Sequence, residues 1–127
     1  MPFVERARAW GFLMSESPTR FSRDSVVIAS GAGKLAPGTV LGKITAPGQP
    51  NTGKFVPSPA TGTDGSQSAV AILGAAVDAT STDVPAAVLA REGEVAAAAL
   101  AYDVSVNDAT KKTAKATQLA AVGIAVR

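Results

Sequence analysis

The sequence predicts a mainly β fold with one helix near its carboxyl end. Short runs rich in β-branched residues alternate with glycine- and proline-rich breaks over most of the chain. Residues 33–44 place three glycines and a proline among short apolar runs, at spacings too tight for a helix. By contrast, residues 109–121 are rich in alanine, the strongest helix former. These observations indicate a β-rich domain built around a bent ribbon, with a single helix.

The ribbon at residues 33–44 contains a turn and a kink. Pro37 and Gly38 suit the two central positions of a type II turn, because proline presets one backbone angle and glycine tolerates the positive one. A β run then starts at Thr39 and resumes beyond Gly42. Gly42 predicts a bulge, a sharp bend or the close approach of another backbone.

The composition fits one folded domain with a lean core. Of the 127 residues, 46% are hydrophobic and 17% charged, which argues against a disordered chain. Much of the apolar content is alanine, so each buried side chain removes little area from water. Domains of this kind commonly gain stability by self-association or by binding a larger partner.

The residue types that are missing argue against enzymatic chemistry. The chain has no cysteine and no histidine, which excludes disulfides and removes the usual zinc ligands, the commonest general base and the thiol nucleophile. We therefore expect neither catalysis nor a cofactor.

The sequence also gives no sign of a nucleic-acid or membrane partner. The net charge of +2 is small and the basic residues of the chain are scattered, so no nucleic-acid partner is expected. No stretch approaches the ~20 apolar residues of a membrane helix, and charges interrupt the first ten residues where a signal peptide would be apolar.

Residues 1–24 differ from the rest of the chain. Trp10, Phe12 and Met14 alternate along this segment, which is typical of an extended strand. The segment could fold back onto the core of its own domain. It could instead be a docking arm that adds a strand to a partner's sheet, with alternate side chains in pockets. An amphipathic membrane helix is a weaker alternative because Gly11 interrupts it.

The middle of the chain predicts further strands. Residues 25–29 and 68–73 form two of them, separated by the ribbon and by a long turn-rich loop at residues 46–66. Residues 84–91 and 94–100 predict a hairpin-like pair with its turn at Glu92-Gly93. A helix is the alternative for residues 94–101 because of their alanine content.

The helix at residues 109–121 has both of its ends marked. Asn107 and Asp108 offer capping side chains at its start, and Gly123 can end it before a last strand at residues 124–126. Lys111, Lys112 and Lys115 lie in its first half, and we expect them on a solvent-exposed face.

Three other functions each match one part of the sequence. The stretch Gly31–Lys34 lacks the further glycine and the Ser or Thr of a phosphate-binding loop. A hydrolase could use Glu92 and Glu94 as a carboxylate pair on one strand face. A small carrier or hammerhead-like β domain of an enzyme complex would also be compatible with residues 38–42. Such a domain needs a modifiable lysine at the tip of a hairpin, and no lysine of this sequence has that position.

Three segments, residues 12–16, 20–26 and 33–44, stand out by their order and spacing, and the last contains the pattern Gly-x-Leu-x-x-Gly-Thr-Val-Leu-Gly. They resemble the head decoration proteins of tailed bacteriophages of the lambda protein D type, the first two segments matching that family's amino-terminal arm and the third its core. The resemblance continues through residues 64–67, 71–73 and 77–80, Arg91, residues 94–95, and the carboxyl-terminal helix with residues 123–127. The departures are an extra Phe21, and Gly74 with Ala75 where members often carry an aromatic residue.

The resemblance implies a β-clip fold, in which a sharply bent ribbon accompanies an incomplete barrel. It implies an arm at residues 1–24 and one β-rich decoration domain at residues 25–127. The implied function is structural: a homotrimer, made in the host cytoplasm, that cements the major capsid protein on the outer surface of a mature virion at local three-fold sites. The predicted capsid-binding residues are Trp10, Phe12, Leu13, Met14, Ser15, Arg20, Ser22 and Arg23.

Overall fold

The structure is a computed structural model that describes residues 8–16 and 22–127. Within these residues it contains ten strands, one α-helix and a short 3₁₀ turn. The elements in chain order are β1 (Leu13–Glu16), β2 (Arg23–Ile28), β3 (Gly33–Leu35), β4 (Val40–Lys43), β5 (Phe55–Pro57), β6 (Ala69–Leu73), β7 (Val77–Ala79), β8 (Val84–Leu89), β9 (Gly93–Val95), the 3₁₀ turn (Ala97–Ala99), α1 (Ala109–Ala120) and β10 (Ile124–Val126). The predicted mainly β class with one carboxyl-terminal α-helix is confirmed.

Five strands close into a barrel in the order β2-β5-β4-β6-β8. β2 lies antiparallel to β8 along its whole length, from Arg23 opposite Leu89 to Ile28 opposite Val84. The other side of β2 meets β5 through a single parallel pairing, Ile28 opposite Phe55. The resemblance implied an incomplete barrel. In the structure the single β2–β5 pairing closes the barrel.

The predicted ribbon is confirmed at its turn and at its kink. Gly38 has a φ of +90°, and the Thr39 N–H donates to the Ala36 carbonyl across the turn at 3.3 Å. β3 pairs with β7 before this turn, and β4 enters the barrel after it. The β4–β6 register shifts between Leu41 and Gly42. A Cβ on Gly42 would lie 1.9 Å from the Ser66 carbonyl oxygen, so another backbone does come close.

A second sheet, with the order β1-β9-β10, lies outside the barrel. The predicted hairpin of residues 84–91 with 94–100 is wrong, because β8 pairs with β2 and β6 whereas β9 pairs with β1 and β10. The chain changes direction at Glu92, whose φ is +52°, and leaves the barrel there. Residues 94–101 are neither one strand nor an α-helix, since β9 ends at Val95 and a 3₁₀ turn follows.

Two hydrophobic clusters form the core. One cluster joins the barrel strands to Ala79 of β7 and contains Ile28, Leu41, Ala71, Leu73, Ala79, Ala86 and Val88. The other joins the barrel to the second sheet and α1, and contains Phe12, Val40, Ala69, Ile72, Leu89, Val95, Leu119 and Ile124. The second cluster therefore depends on a residue from the predicted arm.

α1 begins and ends as its sequence predicts. The Asp108 carboxylate accepts a hydrogen bond from the Lys111 N–H at 2.8 Å, and Gly123 follows the helix with a φ of +87°. The expectation that all three lysines are solvent-exposed is wrong for Lys115, which is 2% exposed. Lys115 shares a helix face with buried Leu119, one turn further on, so this face points inward.

Candidate functional site

Residues 8–16, here called the strap, lie against the second sheet. Their β1 strand runs antiparallel to β9, with Leu13 opposite Val95 and Glu16 opposite Gly93. The Phe12 carbonyl also accepts a hydrogen bond from the Ala96 N–H at 2.8 Å. This arrangement agrees with the alternative in which the amino-terminal segment folds back onto its own domain.

Trp10 fixes one end of the strap. Its backbone N–H donates to the Gly74 carbonyl at 2.7 Å, and a Cβ on Gly74 would lie 2.3 Å from an indole carbon. The Arg23 guanidinium lies over the indole, 3.8 Å from the ring centroid. The indole is therefore held between a glycine backbone and a cation, an arrangement that stabilises the ring by a cation–π interaction.

Phe12 anchors the strap in the core. Its side chain is 2% exposed and belongs to the cluster that joins the barrel to the second sheet. The Trp10 and Phe12 rings lie 5.8 Å apart, within the range of favourable aromatic pairs. Phe12 therefore packs within this domain in the structure, and its predicted role in capsid binding stays a prediction.

An ion pair joins the far end of the strap to the barrel. The Arg23 guanidinium donates to the Glu16 carboxylate, with Nη2 2.6 Å from Oε1 and Nε 3.0 Å from Oε2. The hydroxyl of buried Ser22 donates to Glu16 Oε2 at 2.5 Å. Such forked, charge-assisted bonds fix geometry as well as adding energy. Ser22 and Arg23 thus hold the strap against the barrel.

The remaining predicted residues divide by exposure. Met14 is 58% exposed and Ser15 is exposed, whereas Leu13 is half-buried against the core. Arg20 lies outside the described residues. β2 runs through the predicted boundary at residue 24 without a break. The outward surface of the strap therefore centres on Met14 and Ser15.

A surface depression of about 380 Å³ adjoins this outward surface. Its lining contains Ser15 of the strap together with three carboxylates, those of Glu16, Glu92 and Glu94. Glu94 is paired with Arg127 at 3.4 Å, and Glu16 with Arg23. The exposed part of the strap thus borders an acidic area.

The rival sites lack the arrangement predicted for them. Glu92 precedes β9 in a left-handed conformation and Glu94 lies within β9, so the two do not share a strand face. Lys34 lies in the middle of β3 and Lys43 ends β4, so neither stands at a hairpin tip. Within residues 8–16 and 22–127, no three Asp or Glu side chains gather as metal ligands. No helix among these residues has the length and apolar content needed to span a bilayer.

Sequence reasoning missed the contact of Gly74 with the strap and the burial of Lys115. Gly74 gave no periodic signal, and its importance comes from the ring that lies against it. Lys115 was grouped with exposed lysines, although its ammonium is enclosed. Both cases depend on residues distant in the chain, which no local pattern encodes.

The comparisons agree with the resemblance noted from the residues. The chain matches the family described as bacteriophage lambda head decoration protein D over residues 2–124. No curated protein matches the chain.

Proposed function

Because the chain belongs to the bacteriophage lambda head decoration protein D family, we propose that it binds the outer surface of a mature phage capsid as a homotrimer and stabilises that capsid. The family is one of structural capsid proteins, and a capsid-decorating role follows from membership. The observation that carries the proposal is the extent of the match, which includes both the strap and the barrel. The partners would be the major capsid protein and two further copies of this chain.

The alanine-rich composition supports self-association. A chain with one Trp, one Tyr and four Phe has few large side chains to bury, and subunit contacts are a common source of further stability. Three copies would also present three straps and three amino termini together. Linked weak contacts gain an effective concentration, so binding can exceed that of one contact by about 10² to 10⁴.

We assign the capsid contact to residues 1–7 and to the outward surface of the strap. Met14 and Ser15 are exposed on β1, which lies at an edge of the β1-β9-β10 sheet. An edge strand can accept a further strand from a partner through its free backbone groups. Trp10, Phe12, Ser22 and Arg23 would serve this contact indirectly, by fixing where the strap lies. A protein that binds only the assembled lattice would stabilise the capsid by mass action.

No observation favours the carrier alternative. Its modifiable lysine would have to crown a tight hairpin, and both candidate lysines lie within strands. A structural protein is therefore the function that the family and the geometry support together.

Co-sedimentation with undecorated capsids tests the assigned contact. Met14→Asp should weaken binding by roughly tenfold or more, because a charge replaces an apolar anchor at each of three equivalent contacts. Val27→Asp is the matched control, since Val27 is also an exposed apolar residue on a strand but lies in the barrel. Full-strength binding by Met14→Asp would place the contact elsewhere, and failure of the unaltered protein to co-sediment would contradict capsid binding itself.

A further inference from the structure

Lys115 is a buried cation whose three donors are all used. Its Nζ lies 2.9 Å from Ser58 Oγ, 2.6 Å from the Pro59 carbonyl and 2.6 Å from the Gln67 carbonyl. An ammonium group has three N–H donors and no acceptor, so this set satisfies it completely. The three acceptors lie at the two ends of residues 58–69, here called the ledge. One side chain of α1 thus holds both ends of the ledge.

The Ser58 hydroxyl extends this network to the barrel. Because Lys115 can only donate, Ser58 Oγ accepts from it and donates its own proton to the Ser66 carbonyl at 2.7 Å. That carbonyl oxygen lies against Gly42 of β4. The ledge is therefore held between the α1 ammonium and the bulged part of β4.

A second set of contacts joins the ledge to the turn at residues 103–106. The Ala60 N–H donates to Ser105 Oγ at 2.9 Å, while the carbonyl of the same peptide group, from Pro59, accepts from Lys115. Ser105 Oγ in turn donates to the Asp103 carboxylate at 2.5 Å. The Pro59–Ala60 peptide group is thus bonded through its carbonyl to α1 and through its N–H to the turn at residues 103–106. Val104 of this turn is 91% exposed.

The helix also holds the end of the ledge through a neutral side chain. Gln118 Oε1 accepts a hydrogen bond from the Ala69 N–H at 2.8 Å, where the ledge becomes β6. Gln118 lies one turn after Lys115. The ledge therefore contacts α1 at two successive turns of the helix.

Burying the Lys115 charge is costly in free energy. Desolvation lowers the pKa of Lys115 from its ordinary value, and the negative charge of Asp103 opposes this shift. Replacement of a buried ionic group by an apolar one of similar size is often neutral for global stability. A gain in global stability is thus a weak explanation for this lysine, whereas its three bonds all act on the position of the ledge.

We propose that Lys115 is a conformational lock that holds the ledge and the 103–106 turn on α1 as one unit, and that the ledge opens locally when the lock is removed while the barrel stays folded. The lock makes the surface around Val104 and the ledge a fixed feature of the free protein. This inference concerns the isolated chain and does not depend on capsid binding.

Residue-resolved hydrogen exchange on the free protein tests the lock. Lys115→Met keeps the length of the side chain and removes its donors. The amides of Ala60, Ser66 and Ala69 should then exchange roughly tenfold faster or more, while barrel amides such as that of Val88 keep their rates. Lys112→Met, an exposed position on the same helix, is the control and should change neither group. Lys115→Arg should preserve part of the protection because it retains donors.

Two outcomes would overturn the proposal. Unchanged exchange in the ledge of Lys115→Met would show that other contacts hold it. Equal acceleration of ledge and barrel amides would show that Lys115 contributes only to global stability. If Lys115→Met does not fold, Ser58→Ala permits the same comparison, since it removes one acceptor and the bond to Ser66.

Discussion

Single residues decide how closely the segments of this protein approach one another. Gly42 leaves room for the Ser66 carbonyl, and Gly74 leaves room for the Trp10 indole. Each glycine acts through the absence of a side chain, and neither needs a positive φ. The ledge and the strap therefore both rest on positions where any larger residue would collide with its neighbour.

Gly42→Ala should destabilise the protein by about 1–3 kcal/mol or more, as overpacking of a close-packed site does. The added methyl would lie 1.9 Å from a backbone oxygen, so β4 or the ledge would have to move. Gly62→Ala is the matched control in the ledge itself, since its nearest contact would be an ordinary 3.5 Å. Urea denaturation measures both, and we expect the control to stay within about 0.5 kcal/mol of the unaltered protein. Equal stability of the two variants would contradict the close approach.

At the scale of elements, local sequence patterns predicted correctly those features that depend only on neighbouring residues. The turn at Pro37-Gly38 and the ends of α1 depend on residues next to each other in the chain, and both are confirmed. The pairing of β8 and β9 was wrong because strand partners are chosen by distant contacts. The strap shows the same limit: its period-2 pattern predicted an extended segment, but only the structure shows that Phe12 enters the core.

Phe12→Ala should lower the free energy of unfolding by about 3–5 kcal/mol, the usual cost of emptying a buried aromatic position. The strap would lose its anchor in the cluster that joins barrel, second sheet and helix. Met14→Ala lies two residues away on the exposed side and should change stability by less than about 0.5 kcal/mol. Thermal or urea unfolding of both variants checks the difference. A small effect of Phe12→Ala would indicate that the strap is not part of the folded body in solution.

At the scale of the whole molecule, a closed barrel carries the strap on a second sheet and the ledge beside α1. The division into an arm and a decoration domain stays a prediction. Within the predicted arm, the strap packs against the second sheet. The lack of both histidine and cysteine argued against enzymatic chemistry, whereas the structural role was implied by the family resemblance. No local sequence pattern encodes the number of copies in the oligomer or the capsid surface that it binds, because both depend on contacts between chains.

Electron microscopy of undecorated capsids with saturating protein tests the central claim most directly. Capsids without the protein are the reference. Capsid decoration by a homotrimer predicts an added protrusion, of three copies, on the outer surface at each local three-fold site. Capsids that remain without added density at saturating protein would contradict the proposed function.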